Sequence, residues 1–277
     1  MASQSEKAAA FAAMHRNDGI FVLPNCWDAI SACVIAEAGF PATATTSGGC
    51  AFSLGYCDGE YIPREEMLSA VGRIASAVDI PVSADMEAGY GASPEIVAET
   101  VRLTIEAGAV GVNIEDSDKS GPRRLLDFDL SVERVAAAVE AARSSGMDIV
   151  VNARTDGFMI GNDEAVFDET VRRANAFLSA GADCAFVIGA RDGELIARLA
   201  SAIDGPLNVL AGPGTPPVSE LGEMGVRRVT VGSNITKVAL LAVRKAAEEL
   251  AGPGTYSFAE GVYAQPEIHR LIKGEKA

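Results

Sequence analysis

Several features that define common protein classes are scarce or absent in this sequence. It holds two histidines and five cysteines in 277 residues, and no pair of cysteines has C-x-x-C spacing. The odd number and the spacing do not indicate a disulfide framework, so a reduced, cytoplasmic setting is expected. Because no run of 18 apolar residues occurs, we also expect no membrane-spanning segment.

Positive charge is scarce as well. The chain has 23 lysines and arginines against 38 aspartates and glutamates, a formal net charge of −15. Such a chain offers no basic face to nucleic acid and no attraction to anionic lipid. We therefore expect a small-molecule ligand, and any negative charge on it has to be held by groups at the site itself.

Strand-like and helix-like segments alternate along the chain in eight strand–helix units. The strands are short apolar runs, several rich in valine and isoleucine, which is typical of parallel strands covered on both faces. Eight such units indicate a (β/α)₈ barrel of the TIM type. A doubly wound open sheet is the alternative, but no G-x-G-x-x-G motif follows the first strand. The predicted strands span residues 21–26, 42–46, 81–85, 111–115, 149–153, 184–188, 207–210 and 228–231.

A single domain is expected over residues 1–277, since no linker or low-complexity segment divides the chain. Residues 1–16 lack the layout of a signal peptide. They are predicted to form an amphipathic helix instead. Residues 252–277 are less regular, and we expect them to form an extension that packs on a neighbouring subunit.

Carboxylates follow two successive predicted strands, Asp85 and Glu87 after one and Glu115 and Asp116 after the next. In a barrel the carboxyl ends of the strands form the active site, and alternation along a strand places Asp85 and Glu87 on one face. Like charges held this close need a cation, and oxygen ligands favour Mg²⁺ or Mn²⁺. We therefore predict a metal-dependent enzyme. The alternative is that these acids cap helices or pair with other charges.

Two further strand ends offer groups that bind anions. The glycines of Ser47-Gly48-Gly49 let backbone N–H groups approach a substrate carboxylate, although the motif also suits a plain flexible turn. Arg154 presents a planar fork of donors to a second carboxylate, a phosphonate or an enolate oxygen. Its alternative role is a structural salt bridge with Asp116 or Asp156.

The remaining candidates are weaker. Trp27 follows the first predicted strand and either walls the pocket or packs in the core, and Asn208 lies in the seventh strand. His15 and His269 lie in the terminal segments, so we expect both on the surface and neither as a catalytic base.

Taken in order, these motifs resemble the isocitrate lyase and phosphoenolpyruvate mutase superfamily. The matching runs are residues 23–28, 45–49, 85–91, 113–116 and 152–156, and the most specific is D-M-E-A-G-Y-G at 85–91 followed by Glu115-Asp116. The resemblance implies a (β/α)₈ barrel whose last helix is swapped between subunits, usually in tetramers. It also implies one Mg²⁺ that binds a 2-oxo acid through its keto and carboxylate oxygens.

Matching positions carry the family's roles to this chain. The resemblance makes Asp85 the direct metal ligand, a residue that also meets the substrate, and gives metal-bound waters to Glu87, Glu115 and Asp58. It assigns the substrate carboxylate to Ser47, Gly48 and Gly49, and the developing enolate to Arg154. The expected catalytic residues are therefore Arg154, Asp58 and Glu115, with Trp27 and Asn208 as additional substrate contacts.

The loop after the fourth predicted strand departs from the family. Isocitrate and methylisocitrate lyases carry K-[KR]-C-G-H there, and phosphoenolpyruvate mutases carry K-T-N-S, whereas residues 118–124 are D-K-S-G-P-R-R. Cysteine-dependent lyase activity is therefore not expected, and the loop's predicted role is that of a polar lid or a solvated connector.

The function predicted from the residues that remain is a Mg²⁺-dependent lyase that cleaves a C–C bond of a small 2-oxo acid through an enolate, as in oxaloacetate decarboxylation. The alternatives are C–P bond chemistry on phosphonopyruvate and a barrel that binds a 2-oxo acid without turning it over. A homo-oligomer, either a dimer or a tetramer, is expected.

Overall fold

The computed structural model describes residues 2–121 and 124–275 and contains nine parallel strands in a nearly closed barrel. The strands are β1 (Phe21–Leu23), β2 (Asn25–Cys26), β3 (Thr43–Thr45), β4 (Val82–Asp85), β5 (Gly111–Glu115), β6 (Val150–Thr155), β7 (Cys184–Val187), β8 (Leu207–Leu210) and β9 (Arg228–Thr230). Their order is β1-β9-β8-β7-β6-β5-β4-β3-β2. The predicted barrel is confirmed, and the open sheet is not found.

The ring closes at a single interrupted strand. β1 pairs with β9 and β2 pairs with β3, both in parallel, and only Pro24 separates β1 from β2. Proline has no N–H to donate to a ladder, while its carbonyl still accepts from the amide of Ala44 at 3.0 Å. The predicted first strand, residues 21–26, is therefore two short strands that together complete the barrel.

Helices alternate with the strands around the barrel. They are α1 (Gln4–Arg16), α2 (Ala29–Glu37), α3 (Ser47–Ser53), α4 (Arg64–Ala77), α5 (Pro94–Glu106), α6 (Phe128–Ser144), α7 (Glu164–Ser179), α8 (Gly193–Ala202), α9 (Val218–Glu223), α10 (Asn234–Ala251) and α11 (Gln265–Lys273). Several begin at an aspartate whose side chain accepts from the first turn, as Asp28 does from the amide of Ser31. Such caps satisfy backbone donors that the helix itself leaves unpaired.

The Ser47-Gly48-Gly49 motif forms the first turn of α3 and not a loop. All three residues are buried, and a Cβ atom built on Gly49 would lie 2.6 Å from Oγ1 of Thr236 and 2.7 Å from Cβ of Trp27. The glycines are therefore required for close packing between α3 and its neighbours. The alternative of a plain flexible turn is therefore wrong, because glycine's low helix propensity is overridden by tertiary packing.

Helix α10 packs little against its own barrel. Thr236 is its one buried residue, while large apolar side chains of the same helix are exposed: Val238, Leu240, Leu241, Val243 and Leu250. The predicted C-terminal extension holds a single 3₁₀ turn, Ser257–Ala259, and then α11, which contacts α2 through Arg270 and Glu37. Across the described residues, no helix is both long and apolar enough to cross a bilayer.

Candidate functional site

A cavity of about 570 Å³ lies at the carboxyl ends of the strands, where barrel enzymes carry their active sites. Five predicted site residues line it: Ser47, Asp58, Asp85, Glu115 and Arg154. They come from α3, β4, β5, β6 and the segment before α4. The structure thus brings together side chains that are more than one hundred residues apart in sequence.

Asp85, the last residue of β4, is held by Ser47. The amide and the hydroxyl of Ser47 both lie within hydrogen-bond distance of Asp85 Oδ2, at 3.2 and 3.0 Å, and the same hydroxyl lies 3.1 Å from Asp58 Oδ1. Asp85 Oδ1 is buried and makes no hydrogen bond. The donors predicted to hold a substrate carboxylate therefore already contact a carboxylate, and one oxygen of Asp85 is left available.

Arg154 forms ion pairs with two carboxylates. Its NH1 lies 2.7 Å from Glu115 Oε2, and its Nε and NH2 donate to the two oxygens of Asp156 at 2.6 and 2.9 Å. The salt bridge with Asp156 confirms one alternative considered from the sequence, whereas Asp116 pairs with Arg173 at 3.2 Å. The guanidinium is thus fixed in one orientation while still lining the cavity.

Lys119 places a cation between two of the predicted metal ligands. Its ammonium lies 2.6 Å from Glu115 Oε1 and 3.0 Å from Glu87 Oε2. Both glutamates are nearly inaccessible, with side-chain exposures of 1% and 2%, whereas the lysine side chain is 27% exposed. Glu87 lies beyond β4 with a left-handed φ of 51°, so the strand alternation assumed from the sequence ends at Asp85.

Two opposing effects set the pKa values of these groups. Burial favours the neutral form of each group, and a neighbouring opposite charge favours its charged form. Burial raises the pKa of Glu115, although Arg154 and Lys119 act in the opposite direction and favour its charged form. Burial also raises the pKa of Glu87. Burial favours the neutral amine of Lys119, but Glu115 and Glu87 outweigh it and raise its pKa. At Asp156, Arg154 similarly overcomes burial and lowers the pKa. The site therefore stabilises a cation that is close to its glutamates.

The residues present suit a divalent cation in their chemistry. Asp85 Oδ1 and Glu87 Oε1 are buried carboxylate oxygens without a hydrogen-bond partner, and hard cations prefer such ligands. As the side chains stand, no three acidic, histidine or cysteine residues among the described ones are grouped closely enough to hold an ion. Lys119 Nζ lies between Glu87 and Glu115, so an ion held by both glutamates would have to displace its ammonium.

The other predicted site residues do not line the cavity. Trp27 lies against Gly49, and Gly48 and Gly49 are buried within α3. Asn208 is fully buried, and its Oδ1 lies 3.4 Å from the Thr230 hydroxyl. Any contact between these residues and a substrate remains a prediction.

Sequence reasoning missed Lys119 as a member of the site. The residue lies in the polar segment predicted as a lid, of which Pro122 and Arg123 fall outside the described residues. The spacing of four residues between Glu115 and Lys119 is a known ion-pair spacing in helices, but nothing predicted a helix here. The polar composition of the segment therefore pointed to solvent and not to the cavity.

Comparisons with known proteins agree with this fold. A sequence model described as phosphoenolpyruvate phosphomutase matches residues 11–251. An uncharacterized protein of Mycobacterium tuberculosis is 34% identical over 242 residues, which cover 87% of this chain and 89% of that protein. The oxaloacetate decarboxylase of Ectopseudomonas mendocina is 28% identical over 83% of this chain and 80% of its own length. A structure of oxaloacetate acetylhydrolase with its product oxalate has a TM-score of 0.88 at 26% identity, covering 97% and 94%.

The fold and the site define a (β/α)₈ barrel with a carboxylate-rich pocket at the carboxyl ends of its strands. The chain belongs to the phosphoenolpyruvate phosphomutase family, within the isocitrate lyase and phosphoenolpyruvate mutase superfamily. This confirms the resemblance drawn from the sequence motifs. The superfamily relatives with a named activity include lyases and mutases, which makes an enzyme of this kind the coarse functional assignment.

Proposed function

We propose that the protein is a lyase that cleaves a C–C bond of a small 2-oxo carboxylic acid, with oxaloacetate decarboxylation as the concrete reaction. The observation that carries the proposal is the composition of the cavity. Three predicted site carboxylates and Arg154 line it, and no histidine or cysteine is among its lining residues within the described part of the chain.

The missing thiol disfavours the cysteine-dependent cleavage of a 2-hydroxy acid and leaves decarboxylation as the simpler C–C cleavage. Cleavage of a 2-hydroxy acid begins with removal of the hydroxyl proton, which needs a base within hydrogen-bond reach. Loss of CO₂ from a carboxylate on C3, the carbon next to the keto carbon, needs no such base. The electrons of the breaking C–C bond move to the keto oxygen. A proton then has to reach the carbon only after CO₂ has left.

Arg154 has the position to stabilise that negative charge. Its guanidinium lines the cavity and is held by Glu115 and Asp156, so little reorganisation is needed when charge develops on the keto oxygen. The amide and hydroxyl of Ser47, which now contact Asp85, have the chemistry to hold the substrate carboxylate.

A Mg²⁺ or Mn²⁺ ion fits the proposed reaction. Asp85, Glu87 and Glu115 would hold it, with Asp58 nearby in the same cavity, and it would supply the Lewis acidity that withdraws electrons from the keto oxygen. The unpaired oxygens of Asp85 and Glu87 support this assignment. The names of two relatives, an oxaloacetate decarboxylase and an oxaloacetate acetylhydrolase, support a substrate of this class.

Product analysis by NMR tests the proposal. Purified protein is freed of metal with EDTA, resupplied with MgCl₂ and given oxaloacetate, and the rate is compared with that of an Asp85→Asn variant, since free Mg²⁺ also promotes decarboxylation. We expect pyruvate and CO₂ to form faster with the unaltered protein than with the variant, and EDTA to abolish the difference.

Other products would identify the alternatives. Oxalate and acetate would indicate hydrolysis, and phosphate released from phosphonopyruvate would indicate C–P chemistry. If oxalate protects the protein against heat while none of these acids is consumed, the barrel binds a 2-oxo acid without catalysis. Each of these results would overturn the decarboxylase proposal.

A further inference from the structure

Lys119 differs from its glutamate partners in how firmly the fold holds it. Glu115 ends β5 in the barrel sheet, and the carbonyl of Glu87 accepts the amide of Glu115 at 2.9 Å. Lys119 lies outside the sheet, in the segment between Ser117 and Leu125, whose two ends pair with each other in an antiparallel bridge. Movement of the lysine side chain therefore leaves the carboxylates in place.

The ammonium satisfies the carboxylate cluster only in part. It reaches Glu115 and Glu87 but leaves Asp85 Oδ1 and Glu87 Oε1 buried without a partner. A buried oxygen left unpaired costs free energy, and Arg154, which pairs with Glu115 and Asp156, does not satisfy these two oxygens either. A cation able to contact all three acids would satisfy the oxygens that the ammonium leaves unpaired.

We propose that Lys119 is an internal competitor for the divalent cation of this site. Without metal its ammonium lies between Glu87 and Glu115, and metal binding displaces it into the cavity, which its side chain already lines. This inference rests on the proposed function and adds a control on metal affinity. The protein would then keep its buried acids neutralised when metal is scarce.

Metal titration of variants tests the competition without using activity. Binding of Mn²⁺ to EDTA-treated protein is measured by the loss of the EPR signal of the free ion. In Lys119→Met the ion no longer has to displace an ammonium, so we expect its affinity to rise about tenfold or more, a change equivalent to about 1.4 kcal/mol.

Lys237→Met is the matched control. Lys237 lines the same cavity but has no carboxylate within ion-pair distance among the described residues. Its removal lowers the positive charge of the cavity equally and relieves no direct competition. We expect its Mn²⁺ affinity to stay close to that of the unaltered protein, so an equal gain in both variants would overturn the inference.

Chemical labelling of the unaltered protein provides a second readout that does not depend on a variant folding. Acetylation by an N-hydroxysuccinimide ester is followed at each lysine by mass spectrometry, with and without Mn²⁺. Displacement predicts faster labelling of Lys119 when Mn²⁺ is present and an unchanged rate at Lys7, which contacts the carbonyl of Val78. An unchanged rate at Lys119 would contradict the proposal.

The outcomes separate this inference from the proposed function. If the unaltered protein decarboxylates oxaloacetate and binds Mn²⁺, but Lys119→Met binds no more tightly, only the competition is wrong. If no form of the protein binds Mn²⁺, both the competition and the metal-dependent reaction are wrong. If only Lys119→Met binds Mn²⁺, the competition is supported in its strongest form.

Discussion

Arg154 lies on β6 and contacts two carboxylates, that of Glu115 on the neighbouring strand β5 and that of Asp156 just beyond the end of β6. Both a structural role and a catalytic role were open from the sequence, and the contacts allow both at once. A guanidinium held by two acids has a fixed orientation, which is what stabilisation of a developing enolate requires. The same ion pairs fix the direction of the N–H groups of Arg154 that do not contact an acid.

Replacing Arg154 with lysine keeps the charge and removes the planar fork of donors. We expect kcat for oxaloacetate to fall about 100-fold or more, as when a donor to a developing oxyanion is removed. Arg102→Lys, at an exposed ion pair on α5, is the matched control and should retain activity. Retained activity in Arg154→Lys would mean that the guanidinium serves only the fold.

His15 is buried, which corrects its expected surface position. Its Nδ1 bonds to the carbonyl of Phe11 at 2.9 Å, and its Nε2 lies 3.4 Å from NH1 of Arg228. A carbonyl only accepts and a guanidinium only donates, so both partners suit the neutral ring with its proton on Nδ1. Burial and then the charge of Arg228 lower the pKa of His15 to about 3.

This buried neutral histidine predicts a pH dependence of stability. Below pH 6.5 the unfolded chain binds a proton that the folded chain refuses until about pH 3, so stability falls as the pH falls through that window. Relative to His15→Gln, the free energy of unfolding should fall by up to about 1.4 kcal/mol per pH unit. Urea titrations from pH 7 to pH 4 measure this difference, and parallel curves would contradict it.

At the scale of the elements, the apolar runs of the sequence were a good guide to the strands. The glycine content was a poorer guide to where the chain turns. The short apolar runs predicted every barrel strand, with β1 and β2 as one, because buried parallel strands are short and rich in branched residues. Helix α3 was not predicted, since two adjacent glycines disfavour a helix. Only the tertiary contacts of Gly49 with Thr236 and Trp27 explain why a helix forms there.

Adding one methyl group at Gly49 tests this packing. In Gly49→Ala the new carbon would meet Thr236, Thr46 and Trp27 at 2.6–2.7 Å, and overpacking of this kind costs about 1–3 kcal/mol. Gly19→Ala, where no atom lies within 4 Å of the new carbon, is the control. Thermal unfolding should show a lower Tm for Gly49→Ala and an unchanged Tm for Gly19→Ala. Equal Tm values in the two variants would mean that α3 and its neighbours accommodate the methyl group at little cost.

At the scale of the whole molecule, the barrel was predictable and part of its site was not. Strand order and the carboxyl-end rule placed Asp85, Glu115 and Arg154 together, because parallel strands end at one edge of the barrel. The position of Lys119 depends on a side chain that turns back from a polar segment, and no periodic pattern encodes that. The position of Glu87 depends on a left-handed backbone conformation, which the neighbouring residues in the sequence do not predict.

The exposed apolar side chains of α10 support the predicted homo-oligomer with a swapped last helix. A protomer of 28.7 kDa seldom exposes so large an apolar patch without a partner. We expect light scattering to give a dimer or a tetramer. A double variant, Val238→Asp with Leu241→Asp, should dissociate, because these residues lie close together on one helix face and are 67% and 47% exposed.

Ala136→Asp, on an exposed position of α6, controls for the added charge and should leave the mass unchanged. A monomer in the unaltered protein would contradict the predicted assembly. So would a double variant whose mass equals that of the unaltered protein, since α10 would then lie outside the interface.

The proposed function depends most on Asp85, Glu87 and Glu115 holding a divalent cation that in turn binds the 2-oxo acid. Calorimetric titration of EDTA-treated protein with oxalate, an analogue of the pyruvate enolate, tests this directly. We predict that oxalate binds when Mg²⁺ is present, and that Mg²⁺ removal or Asp85→Asn abolishes the binding. Equal oxalate affinity with and without Mg²⁺, or no binding under either condition, would contradict the account.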